Sequence, residues 1–93
     1  MTQYARGAAF ERRVFKWYES QGFDSIRSAG SHGVVDVLAV LNGMWIPNTL
    51  RLSNYWSPAE REEFESYCKR NKCIGRYVWR DKGKIQFKEA KDA

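Results

Sequence analysis

At 93 residues the chain has room for one domain, 1–93, with a modest core, of a size where dimerisation helps stability. Its 43% hydrophobic and 29% charged residues exclude a disordered polymer. Sixteen Lys and Arg against eleven Asp and Glu leave +5, which suits a polyanionic partner and equally serves solubility.

No apolar run approaches the roughly 18 residues a membrane-spanning helix requires. The N-terminus, with Gln3 and Arg6 before a short helix, lacks the apolar region of a signal peptide, so an intracellular protein is expected. Cys68 and Cys73 with the single His32 cannot supply four zinc ligands. Buried or neutral thiols in a reducing compartment are expected instead.

In chain order, Phe10, Val14, Trp17 and Tyr18 recur at helical spacing between Gln3 and Gln21, and Gly22 supplies a left-handed stop. Phe23 to Ser28 reads as a strand, and Ala29-Gly30-Ser31-His32-Gly33 as a loop. Val34 to Leu41 is β-branched and apolar on both faces, which predicts a covered, central strand. Asn42-Gly43 is the dipeptide of a tight hairpin turn. Met44 to Ile46 should return antiparallel, with Pro47 marking an edge, a bulge or the strand end, and pairing resuming around Thr49 to Leu52. Ser57-Pro58-Ala59-Glu60 is a capping box that opens a second helix with Phe64, Tyr67 and Cys68 as its apolar stripe. Ile74 to Trp79 and Lys84 to Lys88, joined at Asp81-Lys82-Gly83, form a last hairpin, giving the order α-β-β-β-α-β-β.

Asp36 falls within the most hydrophobic strand, where a carboxylate requires a hydrogen-bond partner, a cation or a proton. Either it does chemistry or it caps amides of the adjoining loop. Glu11 lies at the margin of the first helix's buried face, where packing on the sheet could bring it to Asp36; beside Arg12 and Arg13 it also reads as a solvated charge. Arg27-Ser28-Ala29-Gly30-Ser31 offers amides, hydroxyls and a guanidinium suited to a phosphate.

The run Arg6-Gly7, Glu11-Arg12, Gly22-Phe23, Arg27-Ser28-Ala29-Gly30-Ser31, Gly33 and Asp36, followed by two apolar residues and Ala39, resembles the N-terminal half of archaeal Holliday-junction resolvases in identity and spacing. The resemblance implies an α/β restriction-endonuclease-like core, a central mixed five-stranded sheet flanked by helices, and a homodimer that grips branched or duplex DNA. It also implies a site in which a helix Glu, a strand Asp and a Glu-x-Lys pair hold Mg2+ or Mn2+, assisted by a loop Ser. Glu11 and Asp36 match the first two positions and so the metal ligands, and Ser31 matches the loop Ser. Phosphate contacts are expected from Arg6, Arg12, Arg13 and Lys16 at the first helix and from Arg27 and Arg51 near the site. Recognition of backbone charge and shape, without base readout, is the expected mode.

The third motif departs from the pattern. Counting through the Asn42-Gly43 hairpin places Thr49-Leu50-Arg51 where Glu-x-Lys should stand. Threonine is a poor magnesium ligand, and arginine, charged at any ordinary pH, cannot act as a base. Either Asn48 ligates from an offset hairpin, or Glu60 or Glu63 supplies a migrated carboxylate, or the site does not cleave. Three functions follow: a metal-dependent endonuclease acting on four-way junctions; a non-catalytic relative that binds branched DNA; and an adaptor that uses the Tyr55-Trp56 aromatic pair, which otherwise reads as core or a dimer contact.

Overall fold

The computed structural model describes residues 2–27 and 34–90. Seven elements follow in the predicted order: α1 (Gln3–Ser20), β1 (Asp24–Arg27), β2 (Val37–Leu41), β3 (Met44–Arg51), α2 (Pro58–Arg70), β4 (Arg76–Asp81) and β5 (Lys84–Glu89). The strands lie side by side as β1-β2-β3-β4-β5. All neighbours are antiparallel except β3 and β4, which run parallel because α2 carries the chain back between them.

Alternation along the strands divides the core in two. Val37, Ala39, Ile46, Leu50 and Val78 pack under Phe10, Val14 and Tyr18 of α1. Tyr77 joins Phe64 and Cys68 of α2, with Trp56 and Ala90, on the opposite face. The second face is tight at Gly75: a Cβ there would stand 2.5 Å from Cys68 Sγ and 2.6 Å from Phe64 Cζ. Only glycine lets β4 begin against α2.

Both helices start as their sequences dictate. Thr2 accepts the Ala5 amide at α1, and at α2 Ser57 Oγ accepts the Glu60 amide while Glu60 accepts that of Ser57. The two hairpins turn at Asn42-Gly43 and Lys82-Gly83, each pair at positive φ, as a two-residue loop between twisted strands requires.

Three strand assignments need correction. β4 runs from Arg76 to Asp81 rather than from Ile74 to Trp79. β2 begins at Val37 rather than Val34, so Asp36 precedes the strand instead of lying within it. β1 starts one residue later than expected, at Asp24. Pro47 neither ends β3 nor bulges it: it pairs with Leu38 on the β2 side, while the ladder to β4 starts one residue later, at Asn48↔Arg76. The missing amide falls where no β4 partner waits, so a proline fits inside the middle strand.

Candidate functional site

One end of the sheet gathers β1's last residue, the segment entering β2 and β3's last residue. Arg27 pairs with Val37 at the foot of the β1–β2 ladder, and Val37 in turn pairs with Asn48. Beyond that pair the chain leaves regular pairing, and Asp36 continues the ladder by other means. Its amide donates to the Asn48 carbonyl at 2.8 Å, and its Oδ2 accepts the Leu50 amide at 2.8 Å. The side chain thus stands in for a strand carbonyl, which satisfies a β3 amide that would otherwise have no partner on this side.

Thr49 Oγ1 accepts the indole N–H of Trp56 at 3.2 Å, and its side chain acts on Asp36 to hold the carboxyl down. A carboxylate at position 49 would repel Asp36 unless a cation lay between them; the neutral hydroxyl does not. Burial pushes the Asp36 carboxyl above its ordinary value, and Glu11 pushes it further. The Leu50 amide, Arg51 and Thr49 oppose the shift without cancelling it. Glu11 of α1 thus acts electrostatically on Asp36 at the end of the sheet.

Ion pairs flank Asp36 from the helix on either face. Arg27 Nε donates to Glu11 Oε1 at 3.1 Å, and Arg51 donates to Glu60 Oε2. All four side chains remain partly open to solvent, between 23% and 41%. Glu60 divides its carboxylate between the Ser57 amide and Arg51, and these two, in that order, hold its pKa below the usual value. A helix-cap carboxylate thus also aims a site arginine. The signal was in the sequence, since a capping-box Glu nine residues after an arginine that ends a strand can double back on it.

Other candidates lie elsewhere. Asn48 is fully buried on the α1 face, bonded to Tyr18 and to two carbonyls, and is no ligand at this site. Glu63 is exposed on α2. Arg6, Arg12, Arg13 and Lys16 are exposed along α1, and Arg13 donates to the Gly83 carbonyl at 2.6 Å. Ser31 lies outside the described residues. Of the aromatic pair, Trp56 is core and Tyr55 is 66% exposed.

The archaeal Holliday junction resolvase (Hjc) family model matches residues 2–51, more than half of the chain. The chain belongs to this family. The resolvase fold extends past the matched half: Archaeoglobus fulgidus Hjc, "a Holliday junction resolvase from an archaeal hyperthermophile", superposes with a TM-score of 0.73 at 18% identity, over 88% of this chain and 70% of that one. No curated protein matches. Membership makes this a resolvase-like protein of a DNA-binding family. No helix among the described residues is long and apolar enough to cross a membrane.

Resolvases of this nuclease family generally use a divalent metal, and the residues present are a poor set for one. Magnesium requires hard oxygen ligands in near-octahedral order. Glu11 is taken up by Arg27, Asp36 by the Leu50 amide, and the third position carries no charge. Among the described residues no three Asp, Glu, His or Cys side chains group to hold an ion. Two guanidinium groups add positive charge where a cation would sit.

Asp36 gives a test of this reading. Its raised pKa means that its stabilising contribution is greatest below the unfolded value and is lost as pH rises through the folded one. At pH 7 the charge is tolerated rather than required. Asp36→Asn keeps an oxygen for the Leu50 amide and is expected to match or exceed the parent in stability. Asp36→Ala strands that amide and should cost about 1–3 kcal/mol. Urea unfolding of both variants at pH 7 checks the pair; equal losses would show that the fold depends on the charge itself.

Proposed function

We propose that this protein is a non-cleaving resolvase relative that binds branched DNA, seating a backbone phosphate on Arg27 and Arg51. The observation that supports this is the pairing of these two arginines with Glu11 and Glu60 around an Asp36 already satisfied by protein donors. An arginine held by a carboxylate is preset in the fork geometry that also fits phosphate, and a phosphate can take the carboxylate's place. The exposed Arg6, Arg12, Arg13 and Lys16 along α1 extend the positive surface, so binding is set by backbone charge and shape. The protein would act inside the cell as an architectural or accessory subunit, one domain per chain and two chains per junction.

The test is junction binding in EDTA. A labelled four-way junction should be bound without metal, in preference to linear duplex, and less tightly as salt rises. Glu11→Gln, which releases Arg27 and removes a charge that repels phosphate, should bind several-fold more tightly. Weaker binding by Glu11→Gln, or none by the parent protein without metal, would refute the proposal.

A second reading keeps a specific observation on its side. Glu11 and Asp36 lie close enough to shift Asp36, as a pair of ligands for Mg2+ or Mn2+ in an altered endonuclease site would. That reading expects metal-dependent nicking that Asp36→Ala abolishes.

A further inference from the structure

The loop between β3 and α2 divides its two aromatic residues between different tasks. Trp56 anchors it: the indole donates to Thr49, its ring meets Tyr77 edge-on at 4.8 Å between centroids, and the Arg51 guanidinium lies 6.0 Å from its own centroid. Tyr55 is left outside, 66% exposed, with no ring partner among the described residues. An exposed aromatic on an anchored loop costs solubility and adds nothing to the core.

Beside it is a recess of about 280 Å3 lined by Asn54, Tyr55, Trp56, Arg61, Tyr77 and Lys88. Its wall carries two cations and no carboxylate. Lys88 stands opposite Tyr77 in the β4–β5 ladder, which brings its ammonium to the α2 face. Arg61 comes from the first turns of α2. The Tyr77 hydroxyl is already given to Glu65, so what remains for a ligand is an aromatic face, an amide and two positive charges. That is the chemistry of a stacked base with its phosphate. The volume falls just below that of ordinary ligand pockets, roughly 300–1,000 Å3, and suits a single nucleotide rather than a duplex. Through Trp56 the recess shares a wall with Arg51, so a strand held at the arginine seat could continue into it.

We infer that this recess is a subsite for one unpaired nucleotide at the branch point, its base stacked on Tyr55 and its phosphate held by Arg61 and Lys88. The inference rests on the DNA-binding reading above and adds to it a preference for branched DNA that carries an unpaired base.

Fluorescence anisotropy with three labelled four-way junctions tests it: one fully paired, one with a single unpaired thymidine at the branch point, and one with an abasic nucleotide in that place. The thymidine junction should bind roughly ten-fold more tightly than the other two, a typical effect of one stacked base. Tyr55→Ala should remove that preference and Tyr55→Phe should keep it. Replacing Arg61 and Lys88 together with alanine should lower the salt dependence by about one phosphate contact. A preference that persists in Tyr55→Ala, or none in the parent protein, overturns the subsite while leaving junction binding in place. A Tyr55→Ala variant changed only in its sedimentation would make the patch a contact between copies and overturn it likewise. Failure to bind any of the junctions would remove the binding function itself.

Discussion

Replacing Arg27 and Arg51 together with alanine is expected to weaken four-way-junction binding at least 30-fold while leaving the fold intact. Each guanidinium gives a phosphate charge-assisted hydrogen bonds, and a bond of that kind contributes about 1.5–3 kcal/mol. What the free protein loses is smaller, because both ion pairs are partly exposed, at 38% to 41% for the Arg51–Glu60 pair; exposed pairs contribute about 0–1 kcal/mol. The measurements are affinity, its salt slope and urea stability for the single and double variants. Binding should fall far more than stability does, and the salt slope should drop by about one phosphate contact in the double variant. Lysine at the same positions should restore part of the affinity, since the charge returns without the planar fork. Parallel losses in binding and stability would mean that the arginines serve the fold.

The second large effect is expected far from the site. Asn48 has no exposed surface and satisfies three partners: its Oδ1 accepts from Tyr18 Oη at 2.7 Å, and its amide donates to the Val37 and Ile46 carbonyls at 3.1 and 2.8 Å. Tyr18 in turn accepts from Arg76 at 3.1 Å. The network ties α1 to β2 and β3 through buried polar atoms and reaches β4 through the half-buried Arg76. Asn48→Ala leaves the Tyr18 hydroxyl and one or both carbonyls without their partner and opens a small void, so a loss of about 2–4 kcal/mol is expected. Urea midpoints with an unchanged slope would show it. A loss below roughly 0.5 kcal/mol would mean that water replaces the side chain.

Asn48 also shows what the sequence could and could not disclose. Element order, both hairpin turns and the capping box followed from local chemistry, because Asn42-Gly43, Lys82-Gly83 and Ser57 to Glu60 act within four residues. Pairing across the sheet was hidden. Nothing near Asn48 in the chain announces that its partner is Tyr18, 30 residues earlier, so a polar residue beside a proline read as a possible ligand. Pro47 itself looked like an edge marker because the sequence does not say that β4 joins only from residue 48. Asp36 looked buried within a strand because Val34 and Val35 are apolar enough to extend one. They pack instead against the α2-side core before β2 begins.

Thr49 and Arg51 are intelligible only together with their partners. As departures from Glu-x-Lys they signal a loss. In place they make a consistent local arrangement: Thr49 accepts from Trp56 and leaves no second charge beside Asp36, and Arg51 is aimed by the carboxylate that caps α2. A glutamate at 49 would need a metal to coexist with Asp36, whereas the hydroxyl removes that need.

The central claim is that protein donors and two arginines have replaced the metal at this site. The most direct measurement incubates the purified protein with a labelled four-way junction, with and without manganese, and scores the bound and nicked fractions together. The account predicts an intact junction, bound to the same extent in both conditions. Manganese-dependent nicks that disappear in Asp36→Ala would contradict it.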